Sequence, residues 1–463
     1  MAAIIPAQTP TTGPSSLRSF GEEHELEEIN RAGVLDEVGA QDAIERRQSF
    51  ELPRADGGKD AWLVLFACFI LEALVWGFPF AFGVFQDYYS RHPLFEQDKS
   101  SLAAIATSAT GLMYLSAPLV YGCLRRYPWL RKPFAVGGYV IVLISLIGAS
   151  FANTVPQLLG TQGILYGIGG SIHYFPAFLY LDEWFFARKG QAYGVVWAGG
   201  GAAGVALPLS LQWVLSHYGF RTALRTWAVV SFILTAPAIY FLKGRLPLQH
   251  ASRSTKVELG FLRDPAFWIF QSGNMIQALG YFLPTYYMPS FARSVGLSPF
   301  AGTLAVSLCN GATMVGGVFV GWLVDRYPVT NVIVFCTVGT VGSVFLFWSF
   351  AVYAPVLFIF AFFYGTFASG FAATWSRITD PLKKKCPGTD TGMIIALFSA
   401  GKGIGAVISG PLSGALVKAD NGQHEGLGYA WGSGYSTLIL FCGITAAAQV
   451  VGWCGKRAGY VQG

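Results

Sequence analysis

The chain has 463 residues, of which 53% are apolar and only 12% are charged. Soluble domains carry about a quarter charged residues, so this composition excludes an ordinary soluble enzyme or binding module. The basic residues behind the net charge of +6 are confined to certain loops, and the seven cysteines show no paired spacing. We therefore expect neither a nucleic-acid partner nor a metal site.

Residues 1–59 are polar and acidic. They contain six Lys and Arg against eleven Asp and Glu, with a cluster of Glu between residues 22 and 28. A segment of this composition cannot bury enough apolar surface to offset the entropy that it would lose on folding. The sequence therefore predicts a disordered, acidic cytoplasmic tail over residues 1–59.

Twelve apolar runs follow the tail. Each has about 20 residues or more, which is the length that an α-helix needs to cross a bilayer. The predicted spans are 61–88, 101–124, 134–152, 155–181, 191–216, 223–242, 266–291, 299–324, 332–351, 354–378, 392–417 and 432–454. We expect a multi-pass protein that is surrounded by lipid.

The basic residues are concentrated in alternate loops. One set of loops holds clusters such as Arg125–Arg126 and Lys383–Lys385, whereas the other set holds few, among them Arg91 and Lys99. Loops rich in Lys and Arg stay in the cytoplasm. The pattern predicts cytoplasmic N- and C-termini, and we expect the plasma membrane to be the location.

Two short sequences recur at a spacing of about 200 residues. Arg-Tyr-Pro at 126–128 returns at 326–328, and Pro-Leu-Ser at 208–210 returns at 411–413. Duplicated halves are common in secondary transporters, which bind substrate between the halves. The predicted parts are an N-terminal bundle at 60–242, a cytoplasmic linker at 243–264, a C-terminal bundle at 265–455 and a cytoplasmic C-tail at 456–463.

Several stretches are similar to known family signatures. The loop 321–326, Gly-Trp-Leu-Val-Asp-Arg, resembles a cytoplasmic signature of the major facilitator superfamily. The stretches 56–58, 76–85, 184–194 and 281–292 resemble the monocarboxylate porter family in its fungal branch. The resemblance implies an all-α membrane protein with twelve transmembrane helices in two pseudo-symmetric six-helix bundles, the major facilitator fold, working by alternating access.

The chain departs from the lactate carriers of that family at two places. Phe80 stands where the mammalian carriers have a substrate-coupling Lys, and the eighth run lacks their Asp and Arg. Lactate–proton symport by that mechanism is therefore not implied. Fungal members of the family include permeases for organic acids and vitamins, and exporters tied to secondary-metabolite pathways.

Two charged residues lie deep within apolar runs. At 1.5 Å per residue, Glu72 lies about 18 Å along its helix from Asp60, and Lys402 about 15 Å from Thr391. A charge at this depth should face a cavity or a partner. We predict that Glu72 titrates a proton or acts as a counter-charge, and that Lys402 binds an anionic substrate or pairs with Glu72. The alternatives are a packing carboxyl and a snorkelling lysine.

A mixed polar and aromatic pocket is predicted near these charges. Asn274, Gln277 and Tyr281 recur at three- and four-residue spacing on the seventh helix, so they share one face. Side chains of other helices would complete a pocket for an amphipathic organic molecule. These side chains are Trp76, Phe80, Asn310, Phe363 and Tyr364. The alternative is hydrogen bonding between helices and core packing.

A second group of polar residues is predicted to act in gating or proton relay. Its members are His173, Asp182, Glu183, Arg188, Lys189, Asp325 and Arg326. Ion pairs in the loop between the fourth and fifth helices are expected to lock the outward-facing state, and the Asp-Arg pair after the eighth helix is expected to act likewise. The alternatives are a packing histidine and basic residues that serve only as a topology signal.

The sequence thus predicts a secondary active transporter for a small organic anion or carboxylate-bearing metabolite, plausibly coupled to protons. Efflux of a fungal secondary metabolite is the leading hypothesis. The alternatives are an uptake permease for a monocarboxylate or vitamin, and a non-transporting receptor or sensor. Its glycine clusters lack the Lys-Ser/Thr of a phosphate loop, so we expect no enzyme activity and no cofactor. We expect a monomer.

Overall fold

The computed structural model describes residues 53–246, 259–386, 389–420 and 429–457. Most of the predicted acidic tail, the middle of the predicted linker and most of the predicted C-tail therefore lie outside the described residues. Within these four ranges the chain is helical and contains no strand.

The described part of the chain forms twelve long helices, and each helix overlaps the predicted apolar run of the same number. In chain order they are α1 (Lys59–Tyr89), α2 (Glu96–Arg126), α3 (Pro128–Ala149), α4 (Val155–Trp184), α5 (189–218), α6 (220–241), α7 (265–294), α8 (Pro299–Arg326), α9 (Val329–Phe350), α10 (354–385), α11 (Thr391–Ala419) and α12 (Ser436–Arg457). Ten helical stretches of the described chain are long and apolar enough to span a membrane, and one of these stretches contains both α5 and α6. The prediction of an all-α, multi-pass membrane protein is confirmed.

The junction between α5 and α6 is shorter than the sequence predicts. The apolar runs left residues 217–222 as a loop, but the helix continues through Lys189–Phe241 with a single non-helical residue, Gly219. Its φ of 75° lies in the left-handed region, which glycine enters without a steric penalty because it has no Cβ. One glycine therefore replaces the expected loop.

Helices α1 and α7 are each broken near a proline. Their segments are Lys59–Phe80 and Phe82–Tyr89 in α1, and Pro265–Tyr281 and Leu283–Ser294 in α7. Pro79 lies just before the first break and Pro284 just after the second, and proline removes a helical hydrogen bond and crowds the preceding turn. Beyond the breaks the two helices pack together, with Gly83 against the carbonyl oxygens of Thr285 and Tyr286.

The two six-helix bundles, α1–α6 and α7–α12, meet along two helix pairs. Gly403 and Gly410 of α11 lie against the backbone of α2, and Gly204 of α5 lies against Asn310 of α8. Small residues let membrane helices approach closely. The α2–α11 and α5–α8 contacts therefore bring the bundles together around the middle of α1, α7 and α11.

Candidate functional site

Lys402 lies in a cage of aromatic rings between the two bundles. Its Nζ is 3.9 Å from the ring centre of Tyr281, 5.4 Å from those of Tyr114 and Phe282, and 6.0 Å from that of Trp375. Tyr114 belongs to α2 in the first bundle, and the other three rings belong to the second. The side chain is 4% exposed, so it does not snorkel to the surface. The ammonium is held by cation–π attraction.

Two glycines explain how the rings reach Lys402. Gly401 lies against Gln271 of α7, and Gly403 lies against α2 at Leu115. Because neither position carries a side chain, α2 and α7 approach α11 from two directions. The close approach places rings of both helices around the Lys402 ammonium.

Glu72 lies within the first bundle, on α1. It is 6% exposed, packs against Gly200 of α5, and lies beside the Tyr174 hydroxyl of α4. Its Oε2 has no hydrogen-bond partner among the described residues. A buried carboxyl with one unused oxygen can exchange a proton with a visiting water or substrate.

Aromatic side chains fill the space between the two charges. The ring centre of Trp76 lies 5.7 Å from that of Tyr174 and 4.8 Å from that of Tyr114, which faces Lys402. In the described part of the chain no ion pair joins Glu72 to Lys402. The expectation that these residues pair is therefore wrong for this conformation, in which rings separate them.

The predicted polar residues mostly bind neighbouring helices. The side-chain amides of Asn274 and Gln277 donate to backbone carbonyls of α11 and α10, at 2.7 and 3.5 Å. The Asn310 amide donates to the carbonyl of Gly204 at 2.9 Å, across the bundle interface, and the Tyr364 hydroxyl donates to that of Tyr281 at 2.8 Å. The alternative of interhelical hydrogen bonding accounts for these four contacts.

The aromatic members of the predicted pocket divide into two groups. The ring centre of Trp76 lies 5.8 Å from that of Phe80 and 4.8 Å from that of Tyr114, so Trp76 connects Phe80 to a ring of the Lys402 cage. Phe363 points elsewhere: it is 38% exposed and stacks on Phe347. Its predicted place in the pocket is wrong, because it lies on the outward face of α10.

His173 lies inside the first bundle. Its Nδ1 is 2.6 Å from the carbonyl oxygen of Ala135, and its ring packs on Tyr139 of α3. It lines a small cavity of about 10 Å³ with other α1, α3, α4 and α6 side chains. This position, away from the bundle interface, favours the packing alternative.

The acids before α5 contact neighbouring helices and loops. Glu183 forms an ion pair with Arg131 of α3 and also accepts from the backbone N–H groups of Arg245 and Leu246. Asp182 accepts from the Tyr193 hydroxyl at 2.8 Å. The Glu183 ion pair therefore joins α3 to the end of α4. The side chain of Lys189 lies outside the described residues.

The Asp-Arg signature after α8 is divided between two contacts. Asp325 pairs with Arg377 of α10 at 3.0 Å, and the Arg326 guanidinium lies 4.4 Å from the ring centre of Trp322. Both contacts stay within the second bundle. The Asp325–Arg377 pair connects α8 to α10, whereas the Arg326–Trp322 contact lies within α8, and neither crosses to the other bundle.

Two ion pairs between described residues join the bundles, and neither is predicted from the sequence. Near the start of α11, Asp390 pairs with Arg125 of α2 and accepts from the Tyr121 hydroxyl at 3.1 Å. We call this end of the bundle the Asp390 end. The same carboxylate accepts from the Gly392 N–H and so caps α11.

The second ion pair lies at the opposite end, which we call the Asp87 end. Asp87 of α1 accepts two hydrogen bonds from the guanidinium of Arg293 of α7, at 3.1 and 2.8 Å. Arg91, which lies just beyond the end of α1, donates to the same carboxylate. Paired in this way, a 10%-exposed carboxylate connects the outer segments of the two broken helices.

The sequence contains a weak signal for these pairs. Asp87 and Arg293 both lie in the segments after the breaks in α1 and α7, and Arg125 and Asp390 stand at ends of helices that pack together. Considered alone, each arginine is only a charge near a helix end. Pairing them requires knowing which helices meet, which a repeat with a spacing of 200 residues does not give.

The chain is similar to known membrane transporters. The family model of the Major Facilitator Superfamily matches residues 61–385. The MFS-type transporter pytF of Aspergillus terreus is 30% identical over 286 residues, which cover 61% of this chain and 96% of that protein. The Fujikurins efflux protein of Gibberella fujikuroi is 26% identical over 462 residues, covering 99% and 93%.

A solved structure shares the fold. The crystal structure of the nucleoside transporter NupG superposes with a TM-score of 0.66 at 16% identity, covering 88% of this chain and 100% of that one. This likeness concerns the helix arrangement alone. Together with the family match, it shows that the chain belongs to the Major Facilitator Superfamily and is a membrane transporter, not an enzyme.

Proposed function

We propose that this transporter exports a small organic anion, a carboxylate-bearing secondary metabolite of a fungus, in exchange for or together with protons. The caged ammonium of Lys402 carries the proposal. It is a buried cation between the bundles, and its described neighbours are rings and not a carboxylate. An entering carboxylate would supply the counter-charge, and the rings would contact an apolar body.

The similarity to an efflux protein supports the outward direction. The Fujikurins efflux protein matches almost the whole chain. The stretches quoted from the first, fifth and seventh helices support placing the chain in the monocarboxylate porter family. Phe80, which stands at the lactate carriers' Lys position, supports a substrate other than lactate.

Glu72 is the proposed proton site. Its Oε2 has no hydrogen-bond partner among the described residues, and Trp76 and Tyr114 connect this region to the Lys402 cage. A substrate that displaces these rings would change the surroundings of both charges. Proton binding at Glu72 and anion binding at Lys402 would then be coupled although the two residues do not touch.

The two ion pairs between the bundles are the proposed gates. The basic loops support a cytoplasmic location for the Asp390 end and for both termini. The Asp390–Arg125 pair would then close the inner side and the Asp87–Arg293 pair the outer side. Alternating access requires that these pairs open in turn as the bundles, 60–242 and 265–455, rock about the central site.

The remaining proposals concern the setting of the transporter. We propose that it lies in the plasma membrane and acts as a monomer. The Asp182, Arg188 and Lys189 group and the Asp325–Arg326 signature are proposed to form additional contacts between the bundles in the opposite conformation.

A comparison of strains tests the function. Carboxylated metabolites should accumulate inside cells that lack the gene and disappear from the medium, and the intact gene should reverse both changes. The Lys402→Ala variant should fail to reverse them although it reaches the membrane, whereas Lys402→Arg should restore part of the export. Unchanged metabolite levels inside and outside the deletion strain would contradict the proposal.

A further inference from the structure

A cavity lies at the Asp390 end of the first bundle, apart from the central site. Its volume is about 350 Å³, and it is lined by the beginning of α3, the end of α4 and the residues that follow α6. Since these are helix ends, the cavity opens at the level where the membrane meets water. None of the contacts described for Glu72 or Lys402 reaches it.

The cavity is lined by three basic side chains and one acid. The basic residues are Arg131, Lys132 and Lys243, and the acid is Glu183. The Glu183 carboxylate is already satisfied by Arg131 and by two backbone N–H groups, those of Arg245 and Leu246. Lys243 pairs with Asp60 at 3.0 Å, so Lys132 is the cation in excess, and the balance of charge favours an anionic ligand.

Arg131 is held as a preorganised donor. It is 8% exposed, with its guanidinium 5.8 Å from the ring centre of Tyr180 and one terminal nitrogen on Glu183. Its Nε has no hydrogen-bond partner among the described residues. A guanidinium that is fixed in the cavity wall by Glu183 and Tyr180 suits an oxyanion, because its planar group can meet several acceptor oxygens.

Trp129 indicates that the oxyanion belongs to a membrane lipid. It lines the cavity, begins α3 and is 62% exposed. Tryptophan is enriched at the membrane–water interface, where lipid headgroups lie. Basic pockets between helix ends on the cytoplasmic side bind the phosphates of anionic lipids.

We propose that this cavity binds the phosphate ester of an anionic phospholipid, one whose headgroup carries no positive group of its own to balance the phosphate charge. Arg131 and the two lysines contact the phosphate oxygens, and Trp129 lies beside the glycerol region. The inference depends on the chain lying in a membrane and not on the identity of the transported substrate.

Native mass spectrometry of the purified, delipidated full-length protein tests the proposal. With phosphatidylinositol and phosphatidylcholine supplied in turn, we expect at least about tenfold tighter binding of phosphatidylinositol. The double variant Lys132→Ala/Lys243→Ala should lose about tenfold in that affinity, since each lysine near a membrane surface contributes to anionic lipid binding. Both lysines are exposed, and the Lys243–Asp60 pair lies at the surface, so the fold should persist.

A matched variant in the other bundle provides the control. Lys385 and Lys456 lie at the same end, and Lys385 also pairs with an aspartate. The Lys385→Ala/Lys456→Ala variant should keep the phosphatidylinositol preference. Equal loss in both double variants, or no loss in the first, would overturn the proposal.

A soluble competitor distinguishes the two sources of phosphate. If glycerol 3-phosphate at millimolar concentration displaces phosphatidylinositol from the intact protein only, the phosphate group alone is sufficient for recognition. If it does not compete while the lysine-dependent preference remains, the ligand is the membrane lipid. An absence of any preference for the anionic lipid contradicts both versions.

Discussion

Glu72 and Lys402 are both buried charges in apolar helices, but their neighbours come from different parts of the molecule. Glu72 touches α4 and α5, so all its contacts lie within one bundle. Lys402 is surrounded by rings from both bundles. The first charge can change its protonation while the bundles stay still, whereas the second must respond when the bundles move. We infer that proton binding and substrate binding are divided between the two residues on this basis.

The largest expected effect comes from removing the carboxyl group of Glu72. Glu72→Gln should abolish transport driven by a proton gradient, because the amide cannot release a proton, while substrate exchange without a gradient continues. The assay is flux of the metabolite identified in the deletion strain, in vesicles with an imposed pH gradient. Normal gradient-driven flux in this variant, at equal protein content, would remove Glu72 from the coupling step.

The second effect tests the charge between the bundles. Lys402→Ala should raise KM for the acidic metabolite at least about tenfold, since a charge-assisted contact contributes roughly 1.5–3 kcal/mol. The methyl ester of the same metabolite should be transported with nearly unchanged KM. Lys418→Ala, an exposed lysine on the same helix, is the control. Equal losses for acid and ester would show that Lys402 serves packing alone.

Removing one ring from the cage around Lys402 should have a smaller effect on KM. Tyr281 provides the ring nearest to the ammonium, and a desolvated cation–π contact contributes about 2 kcal/mol or less. Tyr281→Leu should therefore change KM by roughly threefold to thirtyfold, whereas Tyr281→Phe keeps the ring and should change it little. If Tyr281→Phe has the larger effect, the hydroxyl and not the ring is important.

The smallest effect concerns an acid outside the membrane spans. Asp56 accepts from the backbone N–H groups of Phe186, Ala187 and Arg188, at 2.8, 3.1 and 2.8 Å. These donors, the Arg188 N–H first among them, lower the pKa of the Asp56 carboxyl. Its charged form is thus favoured in the folded protein. The stabilisation is fully present above the usual carboxyl pKa and is lost as pH falls through the lowered value.

Thermal unfolding in detergent at two pH values checks this sign. Asp56→Asn should lower the midpoint slightly at pH 7 relative to the parent protein, and the difference should shrink at acid pH where the parent carboxyl is protonated. Flux should be unaffected, since Asp56 lies before the start of α1 and its contacts are with the backbone of residues 186–188. A difference that grows on acidification would show that the carboxylate is not what stabilises this turn.

The sequence predicts the helices well because the membrane demands long apolar runs. Every predicted run overlaps a helix, and the recurrence of Pro-Leu-Ser reflects the matching positions of α5 and α11. Glycine spacing on α11 likewise indicates the face that meets α2. These features depend on local composition, which a single sequence contains.

Contacts between distant segments could not be predicted in the same way. Asp87 and Arg293 are separated by 206 residues, and each is an ordinary charge near a helix end when considered alone. The sequence also does not indicate which face of α10 points inward, because residues 354–368 are apolar on every face. Phe363 and Tyr364 therefore looked equivalent, although only Tyr364 faces inward.

The single-glycine junction at Gly219 has a practical consequence. It leaves no loop between α5 and α6, so an epitope or a protease site inserted there would have to unwind the end of one of the two helices. The stretch at 90–95, which joins α1 to α2, offers the chain several residues on the same side of the molecule. Surface labels that report on sidedness belong there.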